Sequence, residues 1–171
     1  ALILSTIGLI ALFSATQETE YDEFKKQIIW LVVSLVIMFF VMIIDYELLA
    51  KISPIVYGVF IILLFAVLFT EPISGASSWF NIKFMSFQPA EFAKIAVILF
   101  LSYVISKLQF RGKEEINKPW KLAVIILTVA VPVILIIKEP DYGTAVTFLF
   151  ILIGTLFVGG IKKKYIITAL I

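Results

Sequence analysis

A polar segment between two apolar runs carries the side chains best suited to chemistry. It includes Trp79 and Lys83, and it leads through Gln88 into Glu91 and Lys94, which lie at the start of the next apolar run. Charge inside a membrane span is costly and usually marks a functional or pairing site. We therefore take these five side chains as candidates for a substrate cavity. Trp79 is either a platform for a sugar or lipid chain, or a plain membrane anchor.

A second polar segment, residues 139–144, resembles the first. Each segment places a proline at a helix start and an acid, Glu91 or Asp141, within the first turn. The free N–H groups and the dipole of a helix start stabilise a carboxylate there. The acids thus either cap their helices or, with Thr144, frame a shared cavity. In the second case Glu139 and Asp141 are candidates for holding a divalent cation through oxygen ligands.

Glu91 and Lys94 are three residues apart, so they can meet on one helix face. The pair is either an internal ion pair that faces the bundle interior or part of a substrate groove.

The composition excludes an ordinary soluble domain. Hydrophobic residues make up 62% of the 171 residues and charged residues 15%. The chain has no Cys and no His, which excludes disulfides, thiolate or imidazole metal ligands and Ser–His triads within it. A net charge of +2 without a basic, aromatic-rich patch gives no support for nucleic-acid binding.

Apolar runs long enough to cross a membrane need about 17–25 residues. We predict an all-α, polytopic membrane bundle in one domain, 1–171, as a fragment of a longer protein. The polar loop at 71–88 should form a short interfacial helix or a re-entrant segment. The predicted spans are 1–15, 27–44, 53–70, 89–106, 119–137 and 142–161, with a seventh starting at Tyr165.

The basic residues predict the orientation, since cytoplasmic loops are enriched in Lys and Arg. One set of loops holds nine basic residues and the other holds four. The richer set should be cytoplasmic, which places Trp79 and Asp141 outside. The richer set is Lys51, Lys107, Arg111, Lys113, Lys118, Lys121, Lys162, Lys163 and Lys164, and the poorer set is Lys25, Lys26, Lys83 and Lys138.

Three motifs in this order resemble the SEDS family of shape, elongation, division and sporulation proteins. They are Gly75-Ala76-Ser77-Ser78-Trp79, Gln88-Pro89-Ala90-Glu91-Phe92-Ala93-Lys94 and Glu139-Pro140-Asp141-Tyr142-Gly143-Thr144. Phe87 and the Phe92–Ile95 stretch are closer to the RodA (elongation) branch than to the FtsW (division) branch. Glu139 departs from the family, which often has Gln there.

The resemblance implies a ten-helix protein of the bacterial cytoplasmic membrane that polymerises lipid II into peptidoglycan during elongation and cell-shape maintenance. It implies a class B penicillin-binding protein as partner, contacts with membrane lipids, and a divalent cation (Mg or Mn) without an organic cofactor. The family's catalytic Asp would lie beyond Ile171, so no catalytic residue is expected in this chain. Trp79 and Lys83 would then lie at the cavity rim, with Lys83 near the pyrophosphate or a lipid headgroup.

Two other functions fit the same residues. A flippase for lipid-linked precursors would also need inward charges and a proline-broken bundle, and a scaffold would only recruit a penicillin-binding protein. Polymer formation, lipid movement without polymer, or neither, would distinguish the three.

Overall fold

The computed structural model describes residues 2–15, 22–70, 79–82, 85–110 and 112–162. This part of the chain forms six α-helices, one 3-10 helix and one short β-hairpin, which confirms the all-α prediction. The elements are α1 Leu2–Ala15, α2 Asp22–Ile43, α3 Tyr46–Val67, β1 Phe80–Ile82, β2 Met85–Phe87, α4 Pro89–Leu108, the 3-10 helix Lys113–Asn117, α5 Pro119–Lys138 and α6 Tyr142–Val158.

Each of the six predicted spans corresponds to a helix. The helices α2 (from Phe24), α3, α4 and α5 are long and apolar enough to cross a membrane, while α1 and α6 are shorter apolar helices. The helix starts differ most at α3, which begins seven residues before the predicted span at 53–70. The predicted seventh span lies outside the described residues.

The chain divides into two compact units, Ala1–Tyr46 and Glu47–Ile171. In the first unit α1 packs on α2, and the rings of Phe13 and Phe24 lie 5.3 Å apart. In the second unit α4, α5 and α6 pack on one another around fully buried side chains. The largest of these include Phe148, Leu101, Ile125 and Ile136, which α4, α5 and α6 contribute together, and Leu64 of α3.

Two prolines lie inside helices, and in each case another side chain bonds the carbonyl that the proline leaves free. A helical proline has no N–H to offer the carbonyl four residues earlier. Pro54 is in the interior of α3, contrary to the predicted helix start at Ser53, and the buried Ser53 hydroxyl donates to the Ala50 carbonyl at 2.7 Å. The helix can therefore continue through Pro54.

Pro132 frees the carbonyl of Thr128 in the same way. The Tyr57 hydroxyl of α3 donates to this carbonyl at 2.8 Å, and α5 runs without a break from Pro119 to Lys138. A neighbouring helix thus compensates for the proline, and the same bond joins α3 to α5.

The described part of the polar loop is a hairpin, so the interfacial helix is wrong for it, and the re-entrant segment stays a prediction. Strands β1 and β2 pair antiparallel, with Phe80 opposite Phe87 and Ile82 opposite Met85. Alternating apolar and polar residues favour a strand over a helix, whose apolar positions recur every three or four residues. The Phe87 ring lies 4.9 Å from that of Phe92, which attaches the hairpin to α4. Residues 71–78, 83 and 84 lie outside the described residues.

Candidate functional site

The two acid-bearing motifs meet at the beginnings of α4 and α6. The Gln88 side-chain amide donates through Nε2 to Oδ2 of Asp141 at 2.9 Å, across 53 residues of sequence. Gln88 is the N-cap residue of α4, yet its side chain makes no cap bond to its own helix. The side chain instead joins the start of α4 to the start of α6.

Asp141 uses its other carboxylate oxygen to cap α6. Oδ1 accepts the backbone N–H of Thr144 at 3.0 Å, which satisfies one of the free donors of the helix start. One carboxylate therefore caps the start of α6 and also binds the start of α4. The sequence left capping and cavity framing as alternatives for Asp141, and this geometry is compatible with both roles together.

The hairpin brings Trp79 to the same place. Phe80 pairs with Phe87, and Trp79 and Gln88 are the next residues beyond this pair at the open end of the hairpin. The Trp79 residue is 39% exposed, which leaves part of the indole ring accessible to a ligand. Trp79, Gln88, Asp141 and Thr144, four of the seven predicted cavity residues, are thus connected through the hairpin, one side-chain bond and one cap.

Glu91 and Lys94 form the predicted pair on α4. The Lys94 ammonium donates to Glu91 Oε1 at 2.8 Å. The Lys94 side chain is 26% exposed and that of Glu91 is 52% exposed. Within the described residues the pair therefore lies at the surface and not in the packed core. Glu91 lies in the first turn but gives this oxygen to Lys94 and not to a backbone N–H.

The described residues hold no group of three or more His, Cys, Asp and Glu side chains placed so that they could bind a metal ion. Both oxygens of Asp141 are engaged by Gln88 and Thr144, and Glu139 is fully buried at the C-terminal end of α5. Lys83 lies outside the described residues.

A second polar cluster, which sequence reasoning missed, lies at the opposite ends of α4 and α5. Lys121 was counted as a loop charge, but it is 7% exposed and donates to the Leu108 carbonyl and to Oε2 of Glu115. The signal available was the spacing of Glu115, Lys118 and Lys121 beside a proline helix start.

Fold and site define the class, a multi-pass helical membrane protein in which two polar motifs meet at the beginnings of α4 and α6. The sequence profile of the family described as cell cycle protein, covering FtsW, RodA and SpoVE, matches residues 1–171. The chain belongs to this family.

Individual relatives agree with this assignment. A peptidoglycan glycosyltransferase RodA from Treponema pallidum (strain Nichols) is 32% identical over 170 residues, 96% of this chain and 38% of that protein. A probable peptidoglycan glycosyltransferase FtsW from Geobacter sp. (strain M18) is 31% identical over 181 residues, 98% of this chain and 47% of that protein. The crystal structure of the rod shape determining protein RodA from Thermus thermophilus matches with a TM-score of 0.77 and 25% identity, covering 99% of this chain and 56% of that one.

The chain spans less than half the length of these two curated relatives. Their identities, 32% to a RodA and 31% to an FtsW, are almost equal. The assignment to the RodA branch therefore stays a prediction from residues 87–95.

Proposed function

We propose that this chain is part of a peptidoglycan glycosyltransferase that polymerises lipid II at the outer face of the bacterial cytoplasmic membrane. The Gln88–Asp141 hydrogen bond carries the proposal, because it unites two motifs of a family whose named relatives are glycosyltransferases. The contact lies at the starts of two apolar helices, a position that suits a substrate with a polar headgroup and a polyprenyl tail.

Within this proposal Trp79 and Asp141 handle the substrate and do not transfer the proton. The exposed part of the Trp79 ring offers an apolar face to a sugar, while Asp141 fixes the relative position of α4 and α6. The family resemblance assigns the general base to an Asp after the seventh span, so none of these residues takes that role. Glu91 and Lys94 lie on α4 one and two turns beyond Gln88 and extend the polar surface.

A divalent cation is proposed as a partner of the leaving pyrophosphate. A cation stabilises the charge that develops on such a leaving group. Each Asp141 carboxylate oxygen accepts one hydrogen bond and keeps a second lone pair, so Asp141 stays a candidate ligand for this cation. A class B penicillin-binding protein is proposed as the partner on resemblance alone.

The test uses the purified whole protein and labelled lipid II. We expect glycan polymer from the parent protein, and weaker use of lipid II by Trp79→Ala at an unchanged melting temperature. Trp30→Ala is the matched control, because Trp30 is also an exposed aromatic residue and lies on α2. Movement of labelled lipid without polymer would indicate a flippase, and neither activity would indicate a scaffold; both results contradict the proposal.

The role of the cation is tested by titrating Mg²⁺ or Mn²⁺ with Asp141→Asn. If Asp141 caps α6 and binds Gln88, the metal dependence should be unchanged, since Asn keeps an oxygen that can accept the cap bond. A higher metal requirement would instead assign Asp141 to cation binding.

A further inference from the structure

A basic cavity lies at the opposite end of the bundle from the Gln88–Asp141 contact. It measures about 330 Å³, opens to the surface, and lies between the end of α4, the 3-10 helix and the start of α5. Three lysines and only one carboxylate line it. The lining side chains that matter here are Lys107, Phe110, Glu115, Lys118, Trp120 and Lys121.

The single carboxylate is already neutralised by two of the lysines. Glu115 bonds Lys118 through Oε1 at 2.7 Å and Lys121 through Oε2 at 2.8 Å. These hydrogen bonds, first from Lys118 and then from Lys121, lower the pKa of Glu115 to about 2, so it stays ionised at neutral pH. Three positive charges therefore face one negative charge, and the cavity keeps a positive excess.

That excess is available at Lys107 and Lys118. The Lys107 ammonium lies 5.5 Å from the centre of the Tyr103 ring, and within the described ranges no carboxylate pairs with it. The Lys118 side chain is 54% exposed and shares its partner Glu115 with Lys121. Lys121 itself is buried and holds the Leu108 carbonyl, so it shapes the cavity wall.

Two large apolar side chains stand at the edge of the same cavity. Phe110 is 91% exposed and Trp120 is 60% exposed. Phe110 lies two residues beyond α4, and Trp120 is the second residue of α5, so both are at the ends of helices that can cross a membrane. Trp and Lys at such ends lie at the level of the lipid headgroups.

We propose that this cavity binds the phosphate of an anionic phospholipid in the adjacent leaflet, which the charge bias predicts to be the cytoplasmic one. Lys107 and Lys118 contact the phosphate, and Phe110 and Trp120 lie along the first methylenes of the acyl chains. A lipid fits better than a soluble anion because the cation pair and the apolar edge occur together at a membrane-level position. Basic pockets between helices on the cytoplasmic side are a known kind of site for such headgroups.

The test is native mass spectrometry of the whole protein in neutral detergent, titrated with phosphatidylglycerol or with phosphatidylcholine of the same acyl chains. Phosphatidylglycerol should bind more tightly. Lys107→Gln and Lys118→Gln should each weaken that binding about fivefold, the effect of one basic residue at a charged lipid surface.

The matched control is Lys51→Gln with Lys138→Gln, which removes two exposed lysines from α3 and α5 outside the cavity. This pair should leave phosphatidylglycerol binding within about twofold of the parent, which separates a site from the general loss of two positive charges. The melting temperature checks folding. If the control pair does not fold, Lys51→Gln and Lys138→Gln are compared singly with Lys107→Gln and Lys118→Gln.

Three results would overturn the proposal. They are equal binding of both lipids, equal losses in the cavity variants and the control, and displacement of the lipid by inorganic phosphate at the same concentration. The last result would mean that the cavity binds a soluble anion.

Discussion

Breaking the contact between Gln88 and Asp141 should separate the two helix starts in a measurable way. We consider Gln88→Ala, Asp141→Ala and their combination. Interhelical hydrogen bonds in membrane proteins contribute about 0.6 kcal/mol on average and up to about 1.7 kcal/mol. This bond is 2.9 Å long, half-buried and accepted by a carboxylate, so we expect a value towards the upper end, about 1–1.5 kcal/mol.

The two single variants should lose different amounts of stability, because Asp141 makes two hydrogen bonds. Asp141→Ala also removes the cap on Thr144, a further loss of about 1 kcal/mol. We therefore expect about 2–2.5 kcal/mol for Asp141→Ala and about 1–1.5 kcal/mol for Gln88→Ala. Asp141→Asn should be milder than Asp141→Ala, because its oxygen can keep the cap while the Gln88 amide rotates to accept from the new side-chain amide.

The assay is the free energy of unfolding in mixed micelles, from titration with a denaturing detergent. Gln109→Ala combined with Asp141→Ala is the control cycle, since Gln109 follows the far end of α4 and binds the Gly159 carbonyl instead. In the control cycle the losses of unfolding free energy from the two substitutions should add. A coupling below about 0.3 kcal/mol between Gln88 and Asp141 would refute the reasoning, because that is the error of additivity for independent sites.

Three further predictions concern other parts of the chain. Lys113→Cys should resist an impermeant thiol reagent in intact cells while Ser77→Cys is labelled, and the reverse would contradict the orientation. Glu91→Ala and Lys94→Ala should show a coupling of about 0.5 kcal/mol in melting experiments, since the pair is half-exposed; a coupling of about 3 kcal/mol would indicate a buried pair. The Glu115 carboxylate, whose pKa is lowered to about 2, should contribute stability above pH 4.5, the ordinary value for a glutamate, and lose it as the pH falls towards 2. Glu115→Gln should flatten this part of the stability curve, and an equal slope would contradict the ion-pair assignment.

The sequence predicted the six helices well because their signal is long and one-dimensional. Runs of apolar residues with few charges leave little alternative to a membrane helix. The helix α3 shows the limit of this reasoning. Its first seven residues include Glu47 and Lys51, so hydropathy placed the start at Ser53, while backbone hydrogen bonding begins at Tyr46.

The hairpin at 80–87 shows a different limit. Its alternation of apolar and polar residues was visible, but a membrane-level loop with several aromatic residues suggested an interfacial helix. The deciding information is pairing between two short strands, and three-residue strands give too few periods to separate the two patterns. The placement of Trp79 and Gln88 at the same open end of the hairpin follows from the register of the two strands, and it could not be derived without that register.

Partners of individual side chains were the hardest to predict, because they depend on contacts between distant parts of the chain. The pair Glu91–Lys94 was predictable because its members share one helix. Nothing in the spacing of Gln88 and Asp141 indicates that one donates to the other across 53 residues. The resemblance between the two motifs did predict that both belong to one site, which is a weaker and still useful statement.

The prolines show how a feature that is visible within one helix can lead to a contact with a distant part of the chain. The presence of Pro132 predicts that the Thr128 carbonyl of α5 lacks its helical N–H partner. Because the surroundings are hydrophobic, this carbonyl needs another donor. The sequence does not say which donor this is. Tyr57 supplies it from α3, so a local defect in one helix becomes a specific contact with another. Ser53 performs the same task for Pro54 within its own helix, which forms no such link. A proline inside a predicted span therefore indicates a carbonyl that needs a donor from outside the helical pattern. If that donor lies on another helix, the hydrogen bond also contributes to helix packing.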